Sequence, residues 1–188
     1  KADLTVTFCR PKPAHFLYPA KEYVGDLTVC PIGIADETVA NQQPRFIVNP
    51  PFKLPAPIPC DHKYSRGAVL VAGGQMTGAA RLAARAARRF GAGLVKVVCA
   101  PENALPYTVC DAGLVVSTEP LETAVRDKKI SSIAFGMGFG LNERTKAALE
   151  TVAKSGKPFV ADADALAYVK DVAPLTNAVL TPHEGEFA

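Results

Sequence analysis

Short apolar runs alternate with stretches of helical periodicity from residue 67 onward. Apolar runs of this length predict strands that are buried on both faces, as in a parallel sheet. Their alternation with helices predicts a layered α/β domain in which helices flank a largely parallel central sheet. The predicted strands are 67–72, 94–99, 114–117, 132–135, 158–161 and 178–181, and the predicted helices are 79–90, 120–127 and 142–155.

The first predicted helix has apolar residues on one face and arginines on the other. Gly91 follows it as a C-terminal stop, and Asn142 is placed to cap the third helix. The arginine cluster favours a solvated face over a phosphate-binding patch. The apolar residues are Ala79, Leu82, Ala83, Ala86, Ala87 and Phe90, and the arginines are Arg81, Arg85, Arg88 and Arg89.

Residues 1–60 have a different pattern. Two strand-like runs, Leu4–Phe8 and Leu27–Cys30, are too few to bury a core. Residues 41–60 contain six prolines, a density that predicts an extended connector. The sequence therefore predicts three parts, with boundaries at 1–40, 41–60 and 61–188.

Glycine or charged residues follow four of the predicted strands, where each strand ends abruptly. Gly73 and Gly74 follow the first strand, and three alternating glycines within 136–140 follow the fourth. Asp162 and His183 follow the last two strands. Because carboxyl ends of parallel strands share one edge of a sheet, where ligands bind, these residues predict a single site.

Each strand end has its own chemistry. Glycines at 73 and 74 let the backbone approach a ligand, and free amides at a helix start favour an anion, although the GxGxxG and GxxxxGK patterns are absent. We expect Asp162 to face the ligand, through a hydroxyl or a water of Mg²⁺, and Asp164 to cap the next helix. His183 is predicted to contact the ligand; the alternative is a histidine that holds the strand-to-helix turn. No nucleophilic Ser/His/Asp or Cys/His arrangement can be assigned from spacing.

Composition excludes several classes of protein. A net charge of +3 is too small to indicate nucleic-acid binding. No apolar run approaches the roughly 20 residues that cross a bilayer, so no membrane association is expected. The five cysteines include no CxxC pair, which argues against a disulfide framework or a zinc site and favours a cytoplasmic protein.

Ordered motifs in residues 61–188 resemble the ADP/ATP-dependent NAD(P)H-hydrate dehydratases of the ribokinase-like superfamily. Residues 2–8, 11–13 and 32–34 resemble the closing segments of an NAD(P)H-hydrate epimerase domain, which precedes the dehydratase in bifunctional proteins. On this basis residues 1–40 are expected to be the C-terminal remnant of an epimerase-like domain. The dehydratase-like motifs are 62–63, 78–83 with 89–94, 136–140, 162–166 and 180–187.

The resemblance implies a lyase that repairs hydrated cofactors. ADP or ATP, with Mg²⁺, would phosphorylate the ring hydroxyl of the S-form of NAD(P)H hydrate, and elimination of phosphate would restore NAD(P)H. Ala79, Gly138 and His183 match family positions that contact the hydrated cofactor. The parent protein is also expected to interconvert R- and S-hydrates if its epimerase domain is complete.

Two departures from the family pattern accompany the resemblance. The usual GPGLG-type loop reads Gly-Met-Gly-Phe-Gly at 136–140, and the usual His-Pro-Gly-Glu run has Glu184 in place of proline. The family's GxGD motif, which carries the catalytic aspartate, has no counterpart before Ala188. We therefore expect an incomplete ribokinase-like domain that is inactive as the isolated chain.

Two alternatives stay open at this point. One is another ribokinase-like small-molecule kinase, and the other is a non-catalytic nucleotide-binding fragment. The sequence does not distinguish ADP from ATP as donor or NADH hydrate from NADPH hydrate as substrate. A homo-oligomer is also left open.

Overall fold

The computed structural model describes residues 1–43, 46–49, 53–109, 111–172 and 174–187. These residues form two compact units, Lys1–Lys53 and Leu54–Ala188. The boundary lies inside the predicted connector, whose described residues contain neither helix nor strand. Three prolines of the connector, Pro44, Pro50 and Pro51, lie outside the described residues. Cys110, in the second unit, lies outside them as well.

The first unit contains two paired strands. Strands β1 (Leu4–Phe8) and β2 (Asp26–Cys30) are parallel, with Leu4 opposite Asp26 and Phe8 opposite Cys30. Short 3₁₀ turns at Pro13–His15 and Ala20–Tyr23 connect them, and helix α1 (Asp36–Ala40) follows. Both predicted strands are present.

The second unit alternates strands and helices as the apolar runs predict. The six predicted strands are all formed, within two residues of their predicted limits. Three further short α-helices and two 3₁₀ helices, at Pro101–Asn103 and Ala163–Tyr168, add to the three predicted helices. In chain order the elements are β3 (Ala68–Gly73), α2 (Thr77–Arg89), β4 (Leu94–Cys99), α3 (Ala104–Thr108), β5 (Val115–Ser117), α4 (Leu121–Ala124), β6 (Ser132–Phe135), α5 (Glu143–Lys154), β7 (Phe159–Ala161), α6 (Val169–Val172), β8 (Ala178–Leu180) and α7 (Glu184–Phe187).

The six strands form one parallel sheet in the order β5-β4-β3-β6-β7-β8. Strands β4 and β5 are added on one side of β3, and β6, β7 and β8 are then added on the other side of β3. The strand order therefore reverses between β3 and β6, and ligands of open α/β sheets bind outside the carboxyl ends at such a reversal. Two apolar clusters, one around Phe135 and Leu149 and one around Val97 and Tyr107, form the core.

The buried face of α2 differs from the predicted one. Ala80 and Ala84 are fully buried against the sheet, whereas the predicted core residues Leu82 and Phe90 are 68% and 62% exposed. Alanine occurs on every side of this helix, so spacing alone could not identify the face that packs closest to the strands. Arg88, on the polar side, forms an ion pair with Asp111 at 2.5 Å.

Asn142 caps α5 as predicted. Its side-chain oxygen accepts hydrogen bonds from the backbone amides of Arg144 and Thr145. The cap satisfies two amides that the first turn of a helix would otherwise leave without a partner.

Candidate functional site

The loops after β3 and β6 are in direct backbone contact. A Cβ atom added to Gly74 would overlap the carbonyl group of Gly138, and one added to Gly138 would overlap the carbonyl oxygen of Met76. The amide of Met76 donates a hydrogen bond to the carbonyl oxygen of Gly138 at 3.1 Å. Neither loop can carry a side chain at the contact without moving the other, so the two loops form one rigid element at the strand-order reversal.

The loop after β6 also contacts the end of β7. Gly136 has φ of +113°, and a Cβ atom there would overlap the carbonyl oxygen of Asp162. Gly138 and Gly140 have φ of +73° and +79°. The alternating glycines were predicted to permit positive φ or close backbone approach, and both properties are present.

Tyr107 packs against the loop after β3, a contact that the sequence did not indicate. Its side chain is fully buried, and its hydroxyl donates a hydrogen bond to the carbonyl oxygen of Gly74 at 3.2 Å. A Cβ atom at Gly73 would lie 2.7 Å from the tyrosine ring. Burial raises the pKa of Tyr107 to about 12, and the protonated hydroxyl is the donor in this contact. A tyrosine in so short a helix has no spacing signal that could have revealed this contact.

The glycines at 73 and 74 are therefore explained by packing against protein. Both are buried, one against the Tyr107 ring and the other against the Gly138 backbone. Contact of these two glycines with a nucleotide stays a prediction. Ala79, in the first turn of α2, is exposed at the same edge of the sheet.

The two aspartates after β7 each accept a hydrogen bond from a neighbouring strand end or loop. Asp162 precedes the 3₁₀ helix, and its Oδ1 accepts a hydrogen bond from the Thr181 hydroxyl at 2.8 Å, which joins the ends of β7 and β8. Asp164 was predicted to cap the helix, but its Oδ2 instead accepts from the amide of Gly140 at 2.7 Å. The cap prediction was wrong because the glycine-loop amide lies within reach of this carboxylate. Ala163 between them has φ of +50°, a strained value for a residue with a side chain.

His183 lies at the carboxyl end of β8 with its side chain 73% exposed. Its Nδ1 accepts a hydrogen bond from the amide of Gly185 at 3.0 Å, and its Nε2 lies 3.4 Å from Oε1 of Glu186. The backbone amide of His183 in turn donates to Oε2 of Glu186 at 3.0 Å. One ring nitrogen thus holds the turn into α7, while the other lies at the surface beside a carboxylate.

The predicted site residues lie along one edge of the sheet. They follow β3, β6, β7 and β8, which are four adjacent strands. At the usual strand spacing, β3 and β8 are about 14 Å apart. The prediction that these strand ends share an edge is confirmed by the topology.

Among the described residues, no cluster of three or more His, Cys, Asp or Glu side chains could hold a metal ion. Cys9, Cys30, Cys60 and Cys99 are free thiols. None of the described helices has the length and apolarity needed to cross a membrane.

Comparison with known proteins identifies relatives for the whole chain. The NAD(P)H-hydrate dehydratase family matches residues 68–188. The bifunctional NAD(P)H-hydrate repair enzyme of Coxiella burnetii is 35% identical over 99% of the chain, and that of Escherichia coli is 32% identical over 100%. The chain covers 40% and 38% of those two relatives, so it spans well under half of their length.

Two solved structures are similar to this chain in fold. A ribokinase-like superfamily protein from Enterococcus faecalis matches 70% of the chain with a TM-score of 0.63 and 25% identity, over 50% of its own length. The ADP/ATP-dependent NAD(P)H-hydrate dehydratase from Bacillus subtilis, crystallised with ATP and Mg²⁺, matches 71% of the chain and 50% of its own length, with a TM-score of 0.62 and 28% identity. The parallel sheet, the glycine loops at its carboxyl edge and the family match lead to one assignment: the chain belongs to the NAD(P)H-hydrate dehydratase family.

Proposed function

We propose that the protein dehydrates the S-form of NAD(P)H hydrate to NAD(P)H at the expense of ADP or ATP. The observation that carries the proposal is the row of strand ends from β3 to β8, with its rigid glycine loop at the strand-order reversal. This is the edge where an open α/β sheet binds its ligand. The family assignment supports the choice of substrate.

The chemistry needs a phosphoryl donor because hydroxide is a poor leaving group. The ring hydroxyl attacks the terminal phosphorus of ADP or ATP and loses its proton, and the donor departs one phosphate shorter. The phosphate ester then loses inorganic phosphate and a proton from the neighbouring ring carbon, which restores the double bond. Phosphoryl transfer of this kind depends mainly on positioning and charge stabilisation.

Asp162 is the described residue that best fits Mg²⁺. Mg²⁺ usually keeps several waters and binds through one or two carboxylates together with substrate phosphates, so the lack of a larger acidic cluster among the described residues is compatible with it. When bound, the ion neutralises charge on the transferring phosphate. The Thr181 hydroxyl donates a hydrogen bond to one carboxylate oxygen of Asp162 and so orients the carboxylate. We assign this carboxylate the role of hydrogen-bonding either a water bound to the ion or the ring hydroxyl.

Ala79, Gly138 and His183 are assigned to the hydrated cofactor. They lie at the same edge of the sheet, and the exposed histidine ring offers Nε2 to a ligand while Nδ1 holds its own loop. We also place the enzyme in the cytoplasm, where its cofactors are found and where free thiols are maintained.

The test is a dehydration assay of the full-length protein with S-NADH hydrate, Mg²⁺ and either ADP or ATP. Restored nicotinamide absorbance with release of phosphate supports the proposal. Consumption of the donor without formation of NADH would favour a different ribokinase-like kinase. No nucleotide-dependent change with any hydrate would favour a binding role.

Replacement of His183 by alanine should weaken binding of the hydrated cofactor about threefold to tenfold, since one lost hydrogen bond costs about 0.5–1.5 kcal/mol. Titration calorimetry with S-NADH hydrate measures the effect, and thermal unfolding of the same sample controls for the turn that Nδ1 holds. A lower melting temperature with unchanged affinity would remove His183 from the site.

Replacement of Asp162 by asparagine should lower kcat at least tenfold and leave KM within about threefold, because asparagine can still accept the Thr181 hydrogen bond but carries no charge. Thr181→Val is the matched control, since it removes the hydrogen bond and keeps the carboxylate. Equal loss of activity in both variants would mean that Asp162 acts through the strand ends rather than through its charge.

A further inference from the structure

A cavity adjoins the glycine loops at the strand-order reversal. It has a volume of about 480 Å³ and lies among the ends of β3, β4 and β5 and the first turns of α4 and α5. Gly73 and Phe139 line it, so it borders the candidate site without including Gly138, Asp162 or His183. Its volume falls within the range of small-ligand sites, about 300–1,000 Å³.

An aromatic ring held in a fixed orientation forms part of the cavity wall. Phe139 is partly buried, and its ring meets that of the fully buried Phe135 edge to face at a centroid distance of 4.7 Å. Phe139 occupies the position at which the family loop has leucine. A fixed ring beside an open cavity is a platform on which a planar base stacks.

Two charged side chains at the cavity are suited to bind the phosphate and the ribose of a nucleotide. Arg144 and Glu122 line the cavity, and neither forms an ion pair with another described residue. A third charged group, Glu119, is already paired with Lys96. A guanidinium group binds phosphate, and a carboxylate accepts hydrogen bonds from ribose hydroxyls.

We propose that this cavity binds the adenosine monophosphate end of a nucleotide. Dinucleotides bind across a strand-order reversal with one half on each side. Gly138, Asp162 and His183 follow β6, β7 and β8, whereas the cavity lies over the ends of β3, β4 and β5, with Phe139 and helix α5 as its other wall. The proposal deepens the proposed function and rests on it for the source of the adenosine, which is the hydrated dinucleotide itself or the phosphoryl donor.

AMP is the direct probe of the cavity, and Ala147→Phe is the variant that fills it. Ala147 lines the cavity on an exposed side of α5, so the larger side chain does not overpack the core. The AMP dissociation constant of the full-length protein should rise at least tenfold, or about 1.4 kcal/mol. Ala86→Phe, on an exposed side of α2, is the matched control and should leave AMP binding unchanged.

Phe139→Leu provides a second, milder variant that restores the family residue. It keeps an apolar wall but removes the stacking ring, so AMP should bind about threefold to tenfold more weakly while the fold is retained. Unchanged AMP affinity in both Ala147→Phe and Phe139→Leu, with both variants folded by circular dichroism, would overturn the proposal. Failure of the wild-type protein to bind AMP at millimolar concentration would overturn it as well.

Two further titrations identify the source of the adenosine. If the dinucleotide occupies the cavity, Ala147→Phe should weaken NADH binding tenfold and leave reduced nicotinamide mononucleotide, which lacks adenosine, unchanged. If the donor occupies it, ATP binding should weaken instead. Either result supports the cavity as an adenosine site. A protein that binds AMP in this cavity but never restores NADH from its hydrate would refute the proposed function and leave this inference standing.

Discussion

Replacing Gly138 with alanine should destabilise the protein by about 2–5 kcal/mol and abolish measurable binding of the hydrated cofactor. Two costs combine at this position. A positive φ of +73° costs an L-residue about 1–2 kcal/mol, and the new methyl group would overlap the carbonyl oxygen of Met76, which adds the cost of overpacking, about 1–3 kcal/mol. Urea unfolding and titration with S-NADH hydrate measure the two effects.

Gly156→Ala is the matched control because its backbone conformation is nearly the same. Gly156 has φ of +72°, but no atom lies within 4 Å of the added Cβ. This variant should lose only about 1 kcal/mol, and cofactor binding should be unaffected. Similar unfolding midpoints for the two variants would mean that the two loops yield to a methyl group, and that they are less rigid than their contact indicates.

Tyr107→Ala should cost about 3–5 kcal/mol, as for other large buried side chains, and should leave the β3 loop without its support. Tyr107→Phe keeps the ring and removes only the hydrogen bond to Gly74, so its cost should be about 0.5–1.5 kcal/mol. The two variants separate packing from hydrogen bonding. A Phe variant that retains stability but loses affinity for the hydrate would show that the hydroxyl positions the loop.

The same tyrosine predicts a stability loss at high pH. Its pKa is raised from 10.0 to about 12 in the folded protein, so the unfolded chain releases this proton first. The stabilising contribution is fully present below pH 10, disappears between about pH 10 and 12, and amounts to roughly 2–3 kcal/mol. Tyr107→Phe should lack this component in a comparison of urea unfolding at pH 9 and pH 11.

The sequence predicted the sheet and placed the candidate site residues at one of its edges. Buried parallel strands have a strong pattern of apolar runs, and the residues that follow each run must share one edge once the strands are parallel. Gly138, Asp162 and His183 could therefore be grouped without a structure. The Asn142 cap was equally visible because its chemistry is local.

Contacts between segments distant in sequence could not be read in this way. The buried face of α2 depends on which alanines meet the sheet, and the Asp164 carboxylate finds the amide of Gly140 only after β6 and β7 have paired. The Tyr107 contact with Gly74 depends likewise on the path of the chain between β4 and β5. None of these pairs has a spacing rule, so a single sequence does not specify them.

The contact between the β3 and β6 loops also has a kinetic consequence. The hydrogen bond from Met76 to Gly138 joins segments separated by three strands, β4 to β6, and by helices α2 to α4, and β6 must dock beside β3 before it can form. Closing such a long loop costs entropy and slows folding. During synthesis the β3–β5 half emerges first, so the contact between the β3 and β6 loops forms only after β6 has left the ribosome. Until then the side of β3 that later pairs with β6 is an unpaired strand edge, the kind of surface on which chaperones act and aggregation begins.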